Sequence, residues 1–296
     1  MSLKIIHTAD WHLGQTFFGY DREEEHDAFL NWLVDTLAEQ QTDVLLIAGD
    51  VFDVANPSAS AQRRFFHFLK EANRRNPHLQ VIVVAGNHDS AARLESPIPL
   101  LEELNTSIVG IIRRTESGEI DFDSLMIPLY NKEKKREGWC LAVPYLRQGD
   151  YPAPEEGHDT YIAGINRMYR QLYDFADARR QPGEALVAMG HLHATGAELS
   201  DDDRSERIIM GGLESVSSDT FDEGLAYTAL GHIHKAQRIG GRENLRYSGS
   251  PLPMSFSETN YRHQVVAVTV ENGCLSDVEP LPVPLFAALH RIPEQP

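Results

Sequence analysis

The sequence predicts an α/β fold built as a four-layer α-β-β-α sandwich, with two packed sheets inside and helices outside. Three observations carry this reading. Short, continuous apolar runs recur along the chain with helical patterns between them, the habit of strands buried on both faces. Each run ends in a polar cluster. After Leu104 the strands become shorter and several alternate, as a second sheet would.

The elements follow in order. Residues 3–7 form the first run and lead into Thr8-Ala9-Asp10-Trp11-His12. Residues 21–40 carry Phe29, Leu30, Leu33, Val34 and Leu37 at helical spacing. Residues 44–48 (VLLIA) precede Gly49-Asp50-Val51-Phe52-Asp53. Ser58, just after Pro57, caps a helix to residue 75 that carries Phe65, Phe66 and Leu69. Residues 81–85 (VIVVA) precede Gly86-Asn87-His88-Asp89. Shorter strands are expected at 107–112, 124–129 and 139–143, and a helix at 161–180 before Pro182-Gly183. Residues 185–189 precede Gly190-His191-Leu192-His193, and residues 227–230 precede Gly231-His232-Ile233-His234. Strands at 246–248 and 263–270 complete the set. Residues 131–138 and 199–207 read as charged, solvated loops, and 279–296 as a proline-rich tail without a further element.

Composition bounds the function. With 42% hydrophobic and 24% charged residues the chain is globular, and its 296 residues suit one large domain. Lys plus Arg number 27 against 44 Asp plus Glu, a net charge of −17. That excludes nucleic-acid binding by blanket basic charge, but not a binder whose positive charge arrives as metal ions. Cys140 and Cys274 have no Cys-x-x-Cys spacing, so neither a disulfide framework nor a zinc ribbon is indicated. No apolar run approaches the ~20 residues that span a bilayer, and no signal peptide is visible, so a cytoplasmic protein is expected.

In parallel α/β sheets functional groups gather beyond the carboxyl ends of the strands, and all five polar clusters fall there. They read D-x-H (Asp10, His12), G-D-x-x-D (Asp50, Asp53), G-N-H-D (Asn87 to Asp89), G-H-x-H (His191, His193) and G-H-x-H (His232, His234). Oxygen and imidazole donors without thiolate suit Mn²⁺, Fe²⁺ or Zn²⁺. Seven candidate ligands exceed one four-coordinate site and match two ions that share a carboxylate, a device for phosphoester hydrolysis. A single Gly-His is ordinarily a surface or hydrogen-bonded residue, and a single Gly-Asp is turn chemistry. Five in order at strand ends are hard to obtain by accident. His7, His26, His67, His78, His158, His263 and His290 lack that setting and keep the ordinary reading. Dinucleotide, P-loop, zincin and α/β-hydrolase signatures are missing.

This order of clusters resembles the calcineurin-like metallophosphoesterases, whose fold is a sandwich of two mixed sheets. The segments 8–14, 48–53, 190–193 and 229–235, together with 247–256 (YSGSPLPMSF), are similar to the SbcD-type nuclease subunits of bacteria. The resemblance implies that Asp10, His12 and His234 hold one metal, that Asp50 bridges, and that Asn87, His191 and His232 hold the other. His88 would be catalytic and Asp53 would orient it, although this position is often His in archaeal and eukaryotic relatives. His193 would stand behind the ligands. The resemblance further implies a nuclease using two divalent ions, Mn²⁺ before Fe²⁺, with Mg²⁺ less suited. It would act on double-stranded DNA ends, hairpins and single strands as exonuclease and endonuclease. Its setting would be recombination, repair and replication, as a homodimer with an SbcC-type coiled-coil ATPase. Residues 21–40 and 58–75 are the candidate dimer helices. Residues 1–284 would form the nuclease domain, and 285–296 a tail leading toward a C-terminal capping domain beyond Pro296, as in a truncated chain. The alternatives are a phosphatase or phosphodiesterase of small esters, and a scaffold that has lost its metals.

Overall fold

The computed structural model describes residues 2–152, 161–198 and 215–290. The chain runs β1 (Ser2–Thr8), β2 (Thr16–Phe17), β3 (Tyr20–Asp21), α1 (Glu23–Glu39), β4 (Val44–Ala48), α2 (Ala59–Arg75) and β5 (Gln80–Val84). Next come α3 (Ala91–Glu95), α4 (Ile98–Leu101), β6 (Thr106–Val109), β7 (Met126–Tyr130), β8 (Arg136–Ala142) and α5 (Tyr161–Asp177). It ends with β9 (Ala185–His191), β10 (Tyr227–Gly231), β11 (Gln237–Arg238), β12 (Leu245–Tyr247), β13 (Gln264–Glu271) and β14 (Cys274–Pro282).

Two six-stranded sheets face each other, ordered β14-β13-β1-β4-β5-β6 and β11-β12-β10-β9-β8-β7. Both are mixed. β1, β4, β5 and β6 run parallel, while β13 is antiparallel to β1 and β14 to β13. In the second sheet β8, β9, β10 and β12 run parallel between antiparallel edges β7 and β11.

The period of two along a strand explains why a continuous apolar run is needed. In β4, Val44, Leu46 and Ala48 enter the core between the sheets, with Ile82 and Val84 of β5 and the strands of the second sheet. Leu45 and Ile47 enter a second core under α1 and α2, with Phe29, Leu33, Phe65 and Phe68. Helix α5 closes the far side through Ile165, Met168, Tyr169 and Leu172. The Ser58 side chain accepts from the Ala61 N–H, the cap its position before α2 predicts.

Three expectations need correction. The second sheet does not take everything after Leu104, because β6, β13 and β14 return to the first. Residues 279–282 are not tail but the end of β14, an edge strand where proline is tolerated because no ladder donor is needed on its open side. Residues 136–138, expected as loop, open β8, with the turn at 131–135 joining it to β7. The expected charged loop 199–207 lies outside the described residues, as does the tail beyond 290. Among the described residues no helix is long and apolar enough to cross a membrane.

Candidate metal centre

The clusters converge where the two sheets meet. The loop after β1 runs alongside the loop after β4: the N–H groups of Asp10, His12 and Leu13 donate to the carbonyls of Gly49, Asp50 and Val51 at 3.0, 3.0 and 2.9 Å. Asp10, His12, Asp50 and His232 all have positive φ, at 57°, 46°, 49° and 100°. Side chains other than Gly avoid that region, and such strain collects at functional sites. Here it aims backbone donors inward. The His232 N–H donates to Asp10 Oδ1 at 2.9 Å, and the His88 N–H to Asp50 Oδ1 at 2.9 Å. Each carboxylate is thus braced by the main chain of another site residue. The glycines leading into these loops serve close approach. A Cβ on Gly86 would overlap the Asp50 carboxylate, and one on Gly231 the Ala48 carbonyl.

Side chains form three overlapping groups whose donor atoms lie within 4.8 Å of one another: Asp10, His12 and His234; His12, Asp50 and His88; Asp50, His191 and His232. Asn87 joins the last, its Oδ1 2.9 Å from His191 Nε2 and 3.0 Å from His232 Nδ1. All seven expected ligands are therefore brought together, with His88 beside them, its ring 4.9 Å from that of His12. His193 packs edge-on against His232, with ring centroids 5.8 Å apart.

The donors fit divalent cations. Asp10 Oδ2 is buried without a hydrogen-bond partner. The His191 Nδ1–H donates to the Ala48 carbonyl at 2.8 Å, which leaves Nε2 facing Asp50 Oδ2 at 3.2 Å. Burial opposes a charge on His191, yet Asp50 and Asp10 push its pKa up to about 9, so the pocket draws positive charge. Burial, with the nearby Asp50 charge, pushes Asp10 up to about 6, although the surrounding histidines favour its ionised form. Burial works against the Asp50 carboxylate as well, but His191, His12 and His88 hold it well below the usual range. Two buried carboxylates this close require a positive counterweight, which a metal ion supplies.

The expected link from Asp53 to His88 takes another form. His88 Nδ1 donates to the Asp53 backbone carbonyl at 2.8 Å, while the Asp53 carboxylate lies 3.4 Å from His12 Nδ1. The main chain of residue 53 positions His88, and its side chain faces a ligand of the first group. A one-residue offset along an extended loop separates these possibilities, and no sequence pattern reports it.

Two further residues support the site: Asp89, part of the G-N-H-D cluster but given no role by the sequence, and Glu258, which the sequence reading missed. Asp89 is buried and accepts from the N–H groups of Gly86, Val51 and Phe52 at 2.9, 3.1 and 3.0 Å, tying the loops after β4 and β5 together. It closes the G-N-H-D cluster, and its role in joining two loops is visible only in the fold. Glu258 is fully buried, with Oε1 3.3 Å from His234 Nδ1 and Oε2 accepting from the Met254 N–H at 2.9 Å. A lone Glu in a loop carries no such signal. The segment around 247–256 wraps the same histidine: the Ser250 N–H donates to the His234 carbonyl at 3.1 Å, and Tyr247 Oη donates to the Leu192 carbonyl at 2.7 Å. His7 and His263 keep the ordinary reading. His7 bridges Tyr227 Oη and the Leu230 carbonyl, and His263 contacts the Ser250 carbonyl.

The calcineurin-like phosphoesterase family model matches residues 3–236. Over 99% of its length the chain is 41% identical to the D subunit of the SbcCD nuclease from Rhodobacter capsulatus, covering 72% of that relative. It is 38% identical to the Escherichia coli protein of the same name and 33% to that of Bacillus subtilis, covering 69% and 67% of them. The chain belongs to the calcineurin-like phosphoesterases, in their SbcD branch. A dimetal phosphatase from Danio rerio shares the fold, with a TM-score of 0.50 at 11% identity over 95% of this chain and 99% of that one. As a calcineurin-like phosphoesterase the chain is a hydrolase of phosphodiester bonds, and its clustered His and Asp side chains form a dinuclear divalent-metal site.

Proposed function

We propose that this SbcD-branch phosphoesterase hydrolyses DNA phosphodiesters, as a double-strand exonuclease and a single-strand and hairpin endonuclease. The observation that carries the reading is the chain of donor groups, Asp10–His12–His234 and Asp50–His191–His232, linked by a third that shares His12 and Asp50 with them. Asp10, His12 and His234 would hold one ion and Asn87, His191 and His232 the other, with Asp50 available to both. When bound, the two ions neutralise phosphate charge and supply an activated water. The residues do the rest. Glu258 fixes the orientation of His234. The Ala48 carbonyl fixes the tautomer of His191. His88, with its Nδ1–H committed to the Asp53 carbonyl, presents Nε2 to the departing oxygen, where it stabilises developing charge or delivers a proton. Oxygen and imidazole donors suit both Mn²⁺ and Fe²⁺, and the family resemblance favours Mn²⁺.

The relatives' names make them subunits of a complex. An SbcC-type ATPase is therefore the proposed partner, and a homodimer the proposed form, built on α1 and α2. The test is Mn²⁺-dependent cleavage of hairpin and single-stranded DNA, abolished in Asp50→Asn. Brisk hydrolysis of nitrophenyl phosphate with no cleavage of any DNA would replace this reading with a small-ester phosphatase.

A further inference from the structure

Immediately beyond the Asp10–His12 loop, β2 and β3 form a hairpin joined by Phe18-Gly19. Phe18 has φ 49° and Gly19 φ 86°, a turn with two left-handed residues that favours Asn-Gly. A bulky aromatic in the first of these positions is an outlier, and it is 70% exposed. Tyr20, next in the hairpin, is 77% exposed. Phe17, Phe18 and Phe256 form a triad with ring centroids 5.0, 5.1 and 5.2 Å apart. Phe256 is itself 38% exposed. Neither side of this cluster is remote from the metal centre. The Gln15 N–H donates to the His12 carbonyl, and Phe256 lies two residues before Glu258, the carboxylate on His234. Arg22 locks the two sides together: its guanidinium sits 5.2 Å over Phe17 and donates to Gln15 Oε1 and the Pro253 carbonyl, both at 2.7 Å.

From this placement we propose that the Phe17–Phe18–Phe256 triad, with exposed Tyr20 opposite Phe17 in the hairpin, is a stacking platform for an unpaired nucleobase of the strand whose phosphate lies at the metals. The inference rests on the nuclease reading and names the form of substrate that site prefers. The occupant follows from two facts. The platform is continuous with the loops carrying His12 and His234, so a ligand bridging both is a phosphate with an attached aromatic group. The chain carries a net charge of −17, so grip on a polyanion must come from somewhere other than surface charge. Base stacking on exposed aromatics supplies it without cationic residues and tolerates any sequence. An unpaired base has its face available, whereas a base inside a duplex does not, so frayed ends, hairpin loops and single strands are favoured.

The experiment follows cleavage of a single-stranded oligonucleotide by the full chain with Mn²⁺, with one abasic nucleotide moved stepwise through the positions flanking the scissile bond. The expected result is that wild type loses roughly tenfold in kcat/KM when one particular base is missing. The double variant Phe18→Ala, Tyr20→Ala shows that loss already on the intact strand and is indifferent to the abasic position, while both proteins cleave the abasic strand equally. Wild type insensitive to every abasic position overturns the proposal. So does a variant whose loss is the same on intact and abasic strands, the result if the cluster instead docks a protein or a second copy. Absence of cleavage of every oligonucleotide, with nitrophenyl phosphate still hydrolysed, overturns the nuclease reading itself and is distinguishable from both.

Discussion

At the scale of single residues, the site depends on side chains that touch no substrate. Glu258 is buried against His234, so Glu258→Gln should leave the fold intact and weaken Mn²⁺ binding by about 10- to 100-fold, as read by calorimetric titration. His7 carries a pH signature. Burial, above all, lowers its pKa to about 3, against an ordinary value of 6.5. The unfolded chain therefore binds the extra proton first, so the neutral buried ring contributes its full stability above pH 6.5 and loses it as pH falls toward 3. Urea unfolding between pH 7.5 and 4 should show wild type losing stability faster than His7→Gln, whose side chain does not titrate. Parallel curves would assign the acid sensitivity elsewhere.

Elements position the site by their ends, and the loops there are held by few contacts. Asp89 satisfies three buried backbone donors from two loops, so Asp89→Ala strands all three and should destabilise the protein by about 3 kcal/mol or more. Heat denaturation would show this as a large drop in Tm, and Asp89→Asn, which retains an acceptor, should recover part of it. The α2 cap is a milder case. Ser58→Ala removes one side-chain acceptor at a half-open helix end, and a loss of about 1 kcal/mol is expected with activity unchanged. The two substitutions separate cost at the catalytic loops from cost at the scaffold.

For the whole molecule, the dominant fact is a large negative charge with a metal site at its centre. Two of those charges, Asp10 and Asp50, belong to the donor set, so metal should act as a structural ligand as well as a reagent. Mn²⁺ at about 100 times its Kd should stabilise the fold by about 2.7 kcal/mol, and chelation should reverse that, as read by Tm against metal concentration. A Tm indifferent to Mn²⁺ would contradict the assembled donor set. Surface acidity also predicts weak retention of duplex DNA by this chain alone, with binding to long duplex lost before cleavage of short single strands as salt is raised.

How much of this was legible beforehand differs by kind of interaction. The parallel core strands and the helices between them were readable because hydrophobic periodicity is local, and each polar cluster could be placed at a strand end for the same reason. The seven candidate donors lie close together in the structure. The return of β13 and β14 to the first sheet was not readable, because strands from opposite ends of the chain share no local pattern, as the pairing of Ser2 with Glu271 illustrates. Nor were the contacts of Asp89, the part played by Glu258, the division of Asp53 between His12 and His88, or the meeting of Phe17 with Phe256. Chemical identity and spacing along a strand are properties of the chain, and they determined the fold class and the metal chemistry by themselves. Which carboxylate faces which imidazole, and which aromatics share one surface, depends on contacts between distant segments. Only the packed tertiary structure decides those, because a rotation of one residue in a loop exchanges the groups that meet.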